Sequence, residues 1–132
     1  MTNYIDAIKI DPFACTVTKV QYDASDYKNM YPLMSHITMP VSAFTIAYIP
    51  ILKDTDALFV DDEFLFKAPG RWFMLATAHA PFGGIGIITG ANERGDTISA
   101  TTSLDLVRMS TMFFGAIHDE LYETRTPWEP ES

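Results

Sequence analysis

Three groups of residues have types that could do chemistry: the acids Asp61-Asp62-Glu63, the stretch from Gly83 to Gly90, and the histidines His36, His79 and His118. Carboxylate oxygens suit a hard cation such as magnesium. Side chains alternate along an extended strand, however, so consecutive acids cannot face one point, and the spacing predicts a solvated turn. A phosphate-binding loop needs a strand before it, a helix after it and often a lysine that reaches the phosphates. In Gly83-Gly84-Ile85-Gly86-Ile87-Ile88-Thr89-Gly90 the glycines precede a β-branched run and no Gly-Lys-Ser/Thr follows, which predicts a tight loop feeding a buried strand. The histidines have no metal-ligand spacing such as His-x-x-x-His. No serine lies in a Gly-x-Ser-x-Gly elbow. Cys15, the single cysteine, has no local base to activate it and reads as a small buried hydrophobe on a strand beside Val17. We assign no catalytic residue, no metal site and no cofactor, and expect a protein that is not an enzyme.

The elements that must position any site follow from patterning. Residues 4–10 and 15–22 read as a hairpin, with Asp11-Pro12 as its turn: Pro12 fixes φ and Asp11 can accept from turn N–H groups. Asp26 is an N-cap candidate for a short helix bearing Tyr27, Met30 and Tyr31, with Pro32 in its first turn. Val41 to Ile51 reads as a strand, Ala57 to Val60 as a second, and Asp61-Asp62-Glu63 as a turn before Phe64-Leu65-Phe66. Arg71 to Ala78 reads as a central strand with Trp72 and Met74 opposite Phe73 and Leu75. Ile85 to Thr89 and Thr97 to Thr101 are further strands. Thr102-Ser103 opens a helix carrying Leu104, Val107 and Thr111 on one side. Whether Met112-Phe113-Phe114 extends that helix or starts a strand, periodicity leaves open. Met30, Met34, Met39, Met109 and Met112 are expected in the core.

These pieces predict an α+β fold: one small domain over residues 1–122, a mostly antiparallel sheet with about two helices on one face, and an acidic C-terminal tail over residues 123–132. One domain is what 132 residues allow. The composition, 48% hydrophobic and 13% aromatic, is that of a chain that builds a core. No apolar run reaches membrane-spanning length, and no basic-then-apolar leader opens the chain. With one cysteine this points to the cytoplasm. A net charge of −8 opposes non-specific nucleic-acid binding, because phosphates are met by Lys and Arg. We therefore expect neither nucleic acid nor membrane as a partner.

The opening Ala7-Ile8-Lys9-Ile10-Asp11-Pro12 with Asp26-Tyr27, together with Val60-Asp61-Asp62-Glu63, resembles a group of small phage- and plasmid-borne proteins of unknown function. The resemblance implies an accessory protein acting in the host bacterial cell, of a kind that binds a host component. Its implied role is to modulate or inhibit a host protein, in host takeover or counter-defence, through an acidic and aromatic surface. The candidate partner-binding residues are Tyr122, Glu123, Trp128, Glu129 and Glu131. The segment from Asp119 to Ser132 alone carries −4 of the charge, and tryptophan is enriched at binding hot spots. The alternative is a small-molecule or nucleotide-sequestering protein with a pocket near Trp72 or Gly83-Gly84, served by Arg71, Arg94 and Arg108. Sheet edges in so short a chain also lead us to expect a homodimer.

Overall fold

A computed structural model describes residues 2–67 and 69–115, together with the backbone of Thr124–Arg125. In chain order the elements are β1 (Tyr4–Asp11), β2 (Thr16–Asp23), α1 (Met30–Met34), β3 (Phe44–Ala47), β4 (Asp56–Asp61) and α2 (Phe64–Lys67). They continue with β5 (Trp72–Leu75), β6 (Phe82–Gly83), β7 (Gly86–Ala91), β8 (Thr97–Ile98), α3 (Leu104–Ser110), β9 (Thr111–Phe114) and β10 (Thr124–Arg125). The chain is thus α+β and mostly antiparallel, as patterning predicts. Its strands divide into two sheets, one ordered β2-β1-β7-β4-β3 with β8 also on β7, the other β10-β9-β5-β6.

The opening hairpin forms as its turn chemistry dictates. Asp11 Oδ1 accepts from the N–H groups of Phe13 at 2.9 Å and Ala14 at 3.2 Å. That turn sets a register in which Ile10 pairs with Val17, Ala7 with Val20 and Ile5 with Tyr22. Cys15 belongs to the turn and not to the strand. Its φ is 55°, and its half-buried side chain packs on the main core.

Alternation sends Ile8, Ile10 and Val17 to one face of the larger sheet, with Leu58, Val60 and Ile88. Phe73, Leu75 and Phe113 from the smaller sheet and Val107 from α3 meet them there, forming the main core. The opposite face, with Ala7, Tyr22 and Ile87, is covered by Met30 and Met34 of α1. β7 is therefore buried on both sides, which is why it reads as a continuous apolar run rather than an alternating one.

The helices obey their caps. Asp26 accepts from Lys28 N–H at 3.0 Å and opens a 3-10 turn over Tyr27–Asn29, after which α1 starts with Pro32 in its first turn. Ser103 accepts from Leu106 N–H at 3.1 Å and opens α3. The chain then turns directly into β9, which decides Met112-Phe113-Phe114 as strand. Met30, Met34 and Met39 are buried as expected, whereas Met109 and Met112 are exposed. The strand predicted from Val41 to Ile51 shrinks to β3, Arg71 to Ala78 to β5, and Thr97 to Thr101 to β8. Leu52 N–H bonds Ile49 O and Ala78 N–H bonds Leu75 O, so turns end the first two of these ladders early.

At the open end of the hairpin Asp23 Oδ1 accepts from Asn3 N–H at 3.0 Å and Ser25 N–H at 3.1 Å. The bond from Asn3 leads in holding this carboxyl below the ordinary 3.8, and Ser25 adds to it. A depressed folded-state value stabilises the fold above the unfolded value, and that contribution is lost as pH falls through the folded one. The melting temperatures of the wild type and Asp23→Asn are thus expected to differ at neutral pH and to converge in acid. A difference that persists at low pH would contradict this assignment. On the same strand, burial first and then Asp26 and Asp23 raise the Tyr22 phenol above 10.0.

Candidate partner-binding site

The acids Asp61-Asp62-Glu63 do not form a uniformly solvated turn. Asp61, at the end of β4, is only 1% exposed. Its Oδ2 accepts from Lys67 Nζ at 2.6 Å and its Oδ1 from Glu63 N–H at 2.8 Å. The cation is required, because an ionised carboxylate taken out of water needs a partner. Lys67 Nζ also donates to Pro40 O at 2.9 Å, so one ammonium ties α2 both to β4 and to the segment before β3. Glu63 O accepts from Phe66 N–H at 3.0 Å and Lys67 N–H at 3.2 Å, which closes the helical turn.

α2 is only 4 residues long, far too short to persist without tertiary tethers. Phe64 supplies the second one. Its ring meets Trp72 edge-on at 5.6 Å and Phe82 at 6.1 Å. With Asp61, Phe64 and Lys67 turned toward the domain, helical geometry turns their neighbours outward. Asp62 and Glu63 are exposed, Leu65 is 71% exposed and Phe66 89%.

The turn tied down through Pro40 adds to this end of the molecule. His36 and Met39 exchange backbone bonds of 3.1 and 2.9 Å across a tight loop, leaving Ile37 94% exposed. The His36 ring lies flat on Phe13 with centroids 3.8 Å apart, and its Nδ1 accepts from Thr38 N–H at 3.2 Å. His36 thus caps its own turn. The outcome is an acidic and apolar projection on an anchored base.

The other candidate sites resolve into packing. Gly84 has a φ of +79°, and a Cβ on it would lie 2.7 Å from Met39 Sδ, so the Gly83-Gly84 loop serves a close approach. Gly90 admits the carbonyl of Ser99 at 2.7 Å from where a Cβ would sit. The arginines of the nucleotide reading stay apart. Arg108 Nε is spent on Val17 O at 3.0 Å, while Arg71, beside Gly84, and Arg94 lie beyond opposite ends of β7. An open groove does exist, lined by Asn3, Ile5, Asp96, Thr97 and Ser99, but it is away from Trp72 and carries no cation. Among the described residues no cluster of His, Cys, Asp or Glu could hold a metal ion, and no helix is long and apolar enough to cross a membrane.

The tail residues Tyr122, Glu123, Trp128, Glu129 and Glu131 lie outside the described residues, as does His118. Within the predicted tail, the backbone of Thr124–Arg125 pairs with Phe114 and Phe113 as β10. Sequence reasoning missed Leu65, Phe66 and Ile37. The signal for the first two was present: in Asp61-Asp62-Glu63-Phe64-Leu65-Phe66-Lys67 a helical turn spreads successive side chains around its axis, so one face cannot bury all three apolar residues. Compared with known proteins, the chain matches no family model, no curated protein and no solved structure.

Proposed function

We propose that this chain is a non-enzymatic binding module, an accessory protein of a phage or mobile element that engages and modulates a host bacterial protein. The observation that carries the reading is Phe66, 89% exposed on a tethered helix and flanked by the exposed acids Asp62 and Glu63. Aromatic anchors ringed by charge are the usual energetic centres of protein interfaces, and the acids steer a basic partner surface toward the anchor. The resemblance of the opening hairpin and the Val60-Asp61-Asp62-Glu63 step to phage- and plasmid-borne proteins supports the cellular setting.

The test is affinity purification of the tagged chain from its native host, in parallel with Phe66→Asp. The wild type is expected to retain a stoichiometric protein partner. The variant should weaken capture by about thirtyfold or more, the equivalent of a hot spot of about 2 kcal/mol, while its melting temperature stays unchanged. Equal capture by both chains, or a nucleotide co-purifying in place of a protein, would overturn the proposal.

A further inference from the structure

The larger sheet ends on β3, whose outer side carries no further strand among the described residues. Hydrogen-bond phase shows what that side offers. Asp62 N–H donates to Ala43 O at 3.1 Å, and the register pairs Thr45 with Val60 and Ala47 with Leu58. In an antiparallel ladder of this phase, Thr45 and Ala47 turn their N–H and C=O groups toward β4, and Phe44 and Ile46 turn theirs away. Folded proteins guard such edges with charge, proline or cover. The opposite edge, β2, is guarded: it carries Lys19, and Arg108 occupies the outward Val17 carbonyl. Among the described residues β3 has none of these devices.

Its surroundings are also neutral. From Val41 to Leu52 no residue is charged, in a chain whose net charge is −8. Ile46 is 44% exposed and Tyr48 75%. Beside them Tyr27, Tyr31, Phe44 and Phe59 form an aromatic row, with Phe44 contacting the other rings at 5.1 to 6.3 Å. A second acidic copy is repelled where the acids lie and meets no charge along this edge.

We infer that β3 pairs antiparallel with β3 of a second copy, about a two-fold axis at Thr45. This register is self-complementary and keeps every pair within the strand and its immediate neighbours. Phe44 exchanges both backbone bonds with Ile46 of the second copy, and Ile46 with Phe44 of the second copy. Thr45 faces its own counterpart as a closely spaced, non-hydrogen-bonded pair. The larger sheets of the two copies become continuous, and the aromatic rows abut on one face.

Light scattering across the micromolar range is expected to give twice the chain mass for the wild type. Ile46→Pro removes only an outward N–H and leaves the β3–β4 ladder intact. It should raise the dimer dissociation constant about thirtyfold, because symmetry deletes one donor from each copy. Ile46→Lys, which keeps the backbone donor and adds charge, should also give monomer and covers the case in which the proline variant misfolds. Thr45→Cys in a Cys15→Ser background should cross-link the copies on oxidation, since non-hydrogen-bonded pairs lie within disulfide reach. Phe66→Asp should leave the dimer intact, so failure here and failure of the docking helix are separable. A wild type of strictly monomeric mass overturns the inference and leaves the edge to a strand of a different protein. A dimer unchanged by both Ile46 substitutions, or one that Thr45→Cys cannot cross-link, overturns it as well.

Discussion

Replacing Phe73 by Ala is expected to lower the unfolding free energy by about 3–5 kcal/mol. For a domain of this size that corresponds to a fall in melting temperature of about 12–20 °C. Phe73 is fully buried and, with Leu75 and Phe113, joins the smaller sheet to the larger one. Its ring packs on Phe82 with centroids 5.6 Å apart and fills the space above Gly86, where an added Cβ would come within 2.6 Å of its Cζ. The vacated volume cannot collapse easily, because β7 beneath it is held by β1 on one side and β4 on the other. Urea or thermal unfolding measures the effect. A loss below about 1 kcal/mol, the range of volume-conserving swaps, would mean that the two sheets do not depend on this contact. Phe66 is the same residue type at 89% exposure, and its removal should leave stability nearly untouched.

Asp56→Ala is expected to cost about 2–4 kcal/mol, for a different reason. The buried carboxylate accepts from Thr101 N–H and Thr101 Oγ1 at 3.0 Å and from Thr102 N–H at 2.7 Å. Thr102 Oγ1 in turn accepts from Lys53 N–H at 2.9 Å. One side chain at the start of β4 therefore fixes the segment leading into α3. Alanine orphans those donors, and the buried Thr102 N–H has no ready access to water. Asp56→Asn restores an acceptor oxygen but turns an NH2 group toward N–H donors, so it should recover less than half of the loss. Equal stability of the Asn variant and the wild type would show that a single acceptor suffices. Both variants can be followed by denaturant unfolding and by amide exchange at Thr101 and Thr102.

The sequence made the hairpin, the alternation of Trp72 to Leu75 and the caps at Asp26 and Ser103 legible, because each rests on interactions within a few residues. The second sheet was not legible in this way. β9 joins β5 through Phe113 opposite Phe73 and Phe114 opposite Trp72, partners about forty positions apart with no local signature. The candidate site divides similarly. The sequence points to acids and aromatics of the tail around Trp128, which lie outside the described residues, whereas the projection at α2 is built by long-range contacts. The outward turn of Leu65 and Phe66 depends on Lys67 finding Asp61 and on Phe64 finding Trp72. Charged residues usually stay exposed, which predicts a solvated Asp61. Its burial follows from Lys67, a partner six positions away that no short motif announces.

The placement of β7 has a consequence for how the chain comes to be folded. It stands between β1 and β4, pairing Ile88 with both Ile8 and Leu58. During synthesis the residues of the β1–β2 and β3–β4 pairs are therefore all made before those of their common neighbour. Until residue 91 arrives, each ladder presents an open inner flank and an uncovered apolar surface, so the nascent chain is most vulnerable to mispairing in that interval. Native pairing across such separations is slow, since loop closure must precede any gain from the contacts. Refolding from denaturant is thus expected to be paced by the insertion of β7 between β1 and β4 and not by the local hairpins.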